Sequence, residues 1–211
     1  IGVGLVGSEM CIRDRVKAIT NDKANLEIKT CQLVRLSRAG KPVKMSKRSG
    51  SFITLNELIE EVGKDAVRFM MVSRKNDAQL DFDFEIFKNE NNDNPIFYIQ
   101  YANARINSLI RNSKDKLGIK IKEKDLIKSD LNLLKNINER KIIFQIANFP
   151  RVIEQSAIFM EPHRLSYYLR DLASVFHQYW NLKVNDKRIQ ILDKKEIDLS
   201  LSLIHISEPT R

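Results

Sequence analysis

Thr54 stands three residues ahead of Glu57, and the hydrophobic period of the chain changes at that point. This is the arrangement of a capping box. The threonine hydroxyl accepts from the third amide of a helix, and the glutamate reaches back to the amide of the cap. Leu55, Leu58, Ile59 and Val62 follow at spacings that put them on one helical face. Upstream the pattern is extended. Leu26-Glu27-Ile28-Lys29 alternates, and Leu33, Val34 and Leu36 form a second apolar stretch. Arg38-Ala39-Gly40-Lys41 then supplies a turn, so a hairpin is expected, with Pro42 and Val43 returning into a basic loop.

Downstream the helical period dominates, and the chain reads as mostly α. Gly63 breaks the capped helix and a second begins near Asp65. Leu80-Asp81-Phe82-Asp83-Phe84 is a short extended stretch leading into another helix. Asn94-Pro95 opens the next, since proline suits a first helical turn, and that helix is expected to run to about Lys114. The polar residues from Ser113 to Asp130 read as a loop or linker. Helices are expected at 131–148, at 150–160 and from Pro162 to Leu182. Beyond 184 the pattern assigns no element.

Both ends read as foreign to the fold. Residue 1 is Ile1 rather than Met, which reads as an incomplete frame. Gly2, Gly4 and Gly7 spell a G-x-G-x-x-G pattern, but a dinucleotide-binding turn needs a strand before it and a helix after it, and Ser8 to Cys11 shows no helical apolar stripe. Residues 1–15 and 201–211 resemble translated sequencing-adapter remnants, and the expected fold is confined to about 16–200. The 211 residues are 43% apolar and 30% charged, as in a globular protein, and none of the apolar runs approaches the roughly 20 residues that span a bilayer. Cys11 and Cys31 give neither a disulfide framework nor metal-site spacing, and point to a reducing cytoplasm. The net charge of +9 suits a polyanionic partner or simple solubility, and alone does not separate them.

Lys44-Met45-Ser46-Lys47-Arg48-Ser49-Gly50 carries the most chemistry. Two lysines three apart, in a small-residue loop between Gly40 and Gly50, can form a mobile cationic clamp. Such a clamp stabilises the charge that builds on phosphate oxygens as pyrophosphate departs. The flexible lysine stem lets the charge follow the moving group. A solvated basic turn is the plain alternative.

Longer runs resemble class I arginyl-tRNA synthetases of bacterial type. They are Val43 to Leu55, containing the Lys44-Met45-Ser46-Lys47 signature, Glu61 to Phe69, Leu80 to Asp83 and Asn92 to Ile106. Tyr168 to Ala173 and Phe176 to Asn181 also fit. The resemblance covers nearly all of 16–200. It implies the end of a nucleotide-binding α/β (Rossmann-like) catalytic domain at 16–53, connecting helices at 54–94 and a truncated α-helical bundle, the anticodon-binding domain, at 95–200. It further implies ATP-dependent activation of arginine and transfer to an arginine-accepting tRNA, with Lys44 and Lys47 on the departing pyrophosphate and Met45 and Ser46 shaping the loop. ATP is then a substrate, accompanied by Mg2+ in the intact enzyme, with no metal bound by this piece and no membrane involved. The family's His-x-Gly-His signature is absent, since the only histidines are His163, His177 and His205, so the chain alone is not expected to catalyse the reaction. A cysteine- or methionine-type class I enzyme and a non-catalytic helical RNA-binding module are the alternatives.

In the helix after Pro95, Ile99, Ile106 and Ile110 look like core, whereas Phe97, Tyr101, Arg105 and Ser108 form another stripe. Tyr101 can stack on an unpaired base while Arg105 meets a phosphate. Core packing of the aromatics is the competing reading, for Tyr167, Tyr168, Tyr179 and Trp180 as well. His163 reads as a loop residue and His177 as a helix-face residue. Asp81 and Asp83 suit a surface or capping role better than an acid/base pair.

Overall fold

The computed structural model describes residues 3–45, 50, 52–89, 91, 93–118, 123–185 and 191–207. Helix α1 (Val3–Thr20) comes first, although its sequence has no apolar stripe, and its Met10, Ile12 and Ile19 are exposed. The alternating Leu26–Lys29 stretch forms no strand. Alternation makes a strand only where a neighbour supplies the ladder, and the backbone contact here comes later, from the Gln32 amide to the Asn76 carbonyl at 2.9 Å.

The hairpin forms as expected from the turn residues. Strand β1 (Val34–Arg38) pairs antiparallel with β2 (Lys41–Pro42), Ser37 facing Pro42 and Arg38 facing Lys41. Ala39 and Gly40 between them have φ of +49° and +75°. Positive φ at both central residues is the tight turn whose twist matches that of paired strands, and glycine tolerates it best. Strand β3 (Leu80–Asp83) lies on the other side of β1 in parallel register, from Val34 opposite Leu80 to Ser37 opposite Asp83. A parallel pair needs a crossover, supplied by α2 (Leu55–Val62) and α3 (Lys64–Val72).

Thr54 and Glu57 close the capping box at the start of α2, and Gly63 ends that helix at φ +88°. Phe82, Phe84 and Phe87 pack with Leu58, Ala66, Val67 and Ile96 in a first core. Each fully buried side chain of this size contributes roughly 1.5–3 kcal/mol. Helix α4 (Phe84–Lys88) leads to Asn94, whose side-chain oxygen accepts from the Ile96 and Phe97 amides and starts α5 (Pro95–Leu117).

The helical part continues with α6 (Glu123–Ile127), a 3-10 turn at Leu131–Leu133, α7 (Ile137–Ala147), α8 (Phe149–Ile158), α9 (His163–Asn185) and α10 (Ile197–Ser207). Helix α9 packs against α5, α7 and α8. The polar 113–130 stretch is partly helical rather than a linker. Helix α5 runs on to Leu117 and stops at Gly118 in the left-handed region, and Leu117 and Leu126 are buried. The helix expected from 131 begins instead at Ile137, because Asn136 and Glu139 form a second capping box.

The tail departs most from expectation. Residues 201–211 are expected outside the fold, yet Leu203, Ile204 and Ile206 of α10 are buried in the second core with Leu109, Ile142 and Tyr179. Ser202 Oγ also donates to the Asp130 carbonyl at 2.8 Å. Four apolar residues among six give a short helix enough surface to bury, whatever the origin of the sequence.

Candidate nucleotide-loop and RNA-facing sites

The lysine loop leaves the sheet at a braced point. Val43 N donates to the Leu36 carbonyl at 2.8 Å, continuing the hairpin by one rung. Lys44 and Met45 follow, both exposed. Ser46 and Lys47 lie outside the described residues, and the chain is braced again at Thr54, whose amide donates to Glu57 at 2.7 Å.

Charged groups surround the turn of the hairpin. Arg38 makes a two-pronged contact with Glu61 of α2, one prong from Nη1 to Oε1 and the other from Nη2 to Oε2 at 2.7 Å. Lys88 of α4 reaches Glu61 Oε1 at 2.6 Å, and the Arg38 guanidinium lies 4.2 Å from the Phe84 ring centre. The Arg38 hydrogen bond, then that of Lys88, hold the Glu61 carboxyl down at about 2. Asp83 accepts from Ala39 N at 3.1 Å, Gly40 N at 2.6 Å, Ser37 Oγ at 3.2 Å and Glu85 N at 3.0 Å. It thus caps α4, and the Gly40 amide is the main cause of its carboxyl lying below the usual range. Its partner in the sequence pattern, Asp81, is exposed.

On the helical side the structure brings Tyr101 and Arg105 together. Arg105 Nη2 donates to Tyr101 Oη at 3.0 Å, with the guanidinium carbon 4.2 Å from the ring centre and 5.2 Å from that of Trp180. Arg105 Nη1 is 3.0 Å from His177 Nδ1, and His177 Nε2 is 3.0 Å from the Tyr98 carbonyl. A guanidinium only donates and a carbonyl only accepts, so His177 is neutral with its proton on Nε2. Burial is the main cause of its depressed pKa, and Arg105 adds to it. His177 is therefore a residue on the face of α9 that is buried against α5 and links the two helices. Tyr101 remains 40% exposed and stacks on Phe97 at 5.7 Å.

Tyr167, open to either role by sequence, pairs with an arginine that the sequence did not single out. Tyr167 is 41% exposed, and the Arg170 guanidinium lies 5.7 Å from its ring centre. Arg170 lines a groove of about 360 Å³ with Asp93, Pro95, Tyr98, Asp171 and Ser174. The i, i+3 spacing of Tyr167 and Arg170 was the available signal. Tyr168 and Tyr179 are core instead, and Tyr179 donates to Glu139 at 2.8 Å. His163, read as a loop residue, is buried as the first residue of α9. No group of metal-binding side chains occurs among the described residues, and no described helix is long and apolar enough to cross a membrane.

The family model of the DALR anticodon binding domain matches residues 99–210, more than half of the chain. The chain belongs to this family. The DALR match takes in most of α5 and everything after it, including α10. Homology extends upstream as well. An arginine–tRNA ligase of Parvibaculum lavamentivorans is 46% identical over 191 residues, covering 90% of this chain and 33% of that one. One from Bartonella henselae is 45% identical, covering 96% and 34%. Both relatives bear the name arginine–tRNA ligase, which does not favour the cysteine- and methionine-type alternatives. The chain spans about a third of the length of the curated relatives it matches. A crystal structure from Campylobacter jejuni bearing the name arginyl-tRNA synthetase superposes with a TM-score of 0.76 at 27% identity, over 98% of this chain and 43% of that one. The Thermus thermophilus arginyl-tRNA synthetase shares the fold, with a TM-score of 0.54 at 22% identity over 82% of this chain and 32% of that one.

Proposed function

We propose that the chain is part of a cytoplasmic arginine–tRNA ligase, supplying the lysine loop that handles ATP and the helical surface that binds an arginine-accepting tRNA. The observation that carries this reading is the continuity of homology, which runs at 45% identity from the loop side through the DALR domain. In the intact enzyme arginine reacts with ATP to give an adenylate and pyrophosphate, and the amino acid then passes to the tRNA. Lys44 and Lys47 would hold the departing pyrophosphate by charge-assisted contacts that strengthen as its negative charge builds. Mg2+ would accompany ATP into the intact enzyme. Two free, exposed cysteines, Cys11 and Cys31, accord with a reducing compartment.

On the helical side the reading sets RNA against Tyr101 and Arg105, with Tyr167 and Arg170 of α9 as a second candidate pair. The exposed part of Tyr101, beside Phe97 and Arg105, can meet a base, and Arg105 keeps cationic charge within reach of the backbone. The experiment is ATP–pyrophosphate exchange with the intact ligase. Lys47→Ala should lower kcat by roughly two to three orders of magnitude while ATP binding changes little. Near-normal turnover would reduce the loop to a surface turn. Tyr101→Ala should weaken tRNA binding by about 1–3 kcal/mol; unchanged affinity would remove this face from recognition.

A further inference from the structure

The four hydrogen bonds to Asp83 divide between its two oxygens. Oδ1 accepts from Glu85 N, capping α4, and from Ala39 N. Oδ2 accepts from Gly40 N and from Ser37 Oγ. One carboxylate therefore ties the tip of the β1–β2 hairpin to the start of α4, across more than forty residues of sequence. Lys44 follows Gly40 by four residues, after the β1–β2 ladder and the bond from Val43 N to Leu36 O. Arg38, on the other side of the turn, is tied to Glu61 of α2.

We infer that Asp83 is a positioning residue for the lysine loop: by gripping the Ala39 and Gly40 amides it fixes the hairpin from which Lys44 departs. This inference rests on the proposed adenylate chemistry. A hairpin with a two-residue return strand has little of its own to hold it, and its turn sits in a conformation that an L-residue such as Ala39 adopts at a cost. Two amides held by one carboxylate offset that cost and set the direction in which the chain leaves the sheet. A cationic group that must meet developing charge on phosphate loses much of its effect when displaced by about 1 Å.

Asp83→Asn separates the two jobs. The retained carbonyl oxygen can still cap α4 and take the Ala39 amide. The new NH2 faces the Gly40 N–H, so a donor meets a donor there, while the Ser37 hydroxyl can turn to accept from it. Ser37→Ala is the milder companion, removing one partner of Oδ2. Asp130→Ala is the control, since it deletes a comparable cap, on Asn132 N at 2.9 Å, far along the sequence in the helical domain. In the intact ligase, Asp83→Asn should speed amide hydrogen exchange at Gly40 and lower kcat for ATP–pyrophosphate exchange by about ten- to a hundredfold, with KM for arginine unchanged. Ser37→Ala should move both in the same direction by less, and Asp130→Ala should move neither. Unchanged exchange at Gly40 would overturn the grip, and unchanged kcat with a freed Gly40 amide would overturn the positioning role. A wild-type ligase without arginine-dependent turnover would overturn the proposed function, while the Gly40 amide would still decide the grip.

Discussion

The α/β unit and the helical bundle secure their polar groups in opposite ways. Around the hairpin, Arg38, Glu61, Lys88 and Asp83 form a network open to water, fastened by many partners at once. In the bundle a few contacts in the dry interior carry the same duty. Tyr179 Oη meets Glu139 there, with Glu139 Oε2 also accepting from Asn136 N at 3.0 Å. His177 joins α5 to α9 between Arg105 and the Tyr98 carbonyl. A solvated network tolerates the loss of a member because water replaces it; a buried pair leaves its survivor unsatisfied. The loop side is thus held by redundancy and the bundle by seclusion.

The largest test concerns α10. Ile204→Ala, at a side chain with no exposure, should cost about 2–5 kcal/mol. The urea midpoint should fall accordingly, whereas Ile19→Ala in α1 should leave it in place. An unmoved midpoint for Ile204→Ala would mean that the bundle is complete without its last helix. Next in size is Tyr179→Phe. It keeps the ring and takes the hydroxyl away from the Glu139 carboxylate, for a loss of about 1–3 kcal/mol. If that loss is no greater than for Glu61→Gln at the surface, seclusion carries no extra weight.

Acid titration sharpens the contrast further, with smaller effects. The folded pKa of His177 is depressed, so the unfolded chain takes up its proton first. Its contribution is present above the ordinary imidazole value and is lost as pH falls through and below it. Asp83 and Glu61 are also depressed, but from the carboxylate range, and Glu61 down to about 2. Their contributions persist until pH falls below ordinary carboxylate values. Hydrogen exchange followed down in pH should therefore loosen the α5–α9 contact before the hairpin. The reverse order would break the comparison.

What the sequence made legible was local. The Thr54–Glu57 box, the Ala39–Gly40 turn and the Asn94–Pro95 start each lie within a few residues of what they control, so spacing alone locates them. What it hid depends on distant partners. Leu26–Lys29 and Val34–Arg38 look equally strand-like, but only the second meets β3, whose residues lie 46 positions further on. Tyr179 and Tyr167 are the same residue type on the same helix, and only the neighbours of α9 decide that one is core and the other exposed. The tail reads as foreign by the origin of its sequence, and packing is indifferent to origin: it responds to apolar area at the right period. On the site side, Lys44 is legible as chemistry, whereas the carboxylate that grips its hairpin appears only once β1 and β3 are paired.

Strand β3 stands at the rim of the described sheet, with β1 on one side and no described strand on the other. A strand so placed is a template on which another molecule can add its own, the first step of ordered aggregation. Here it is four residues long, carries a carboxylate at every second position, Asp81 and Asp83, and bends at once into α4. Shortness and like charge both discourage an incoming strand. Of the two aspartates that resemble an acid/base pair, Asp83 is committed to the hairpin and α4, and Asp81 is the exposed one left to meet an incoming strand.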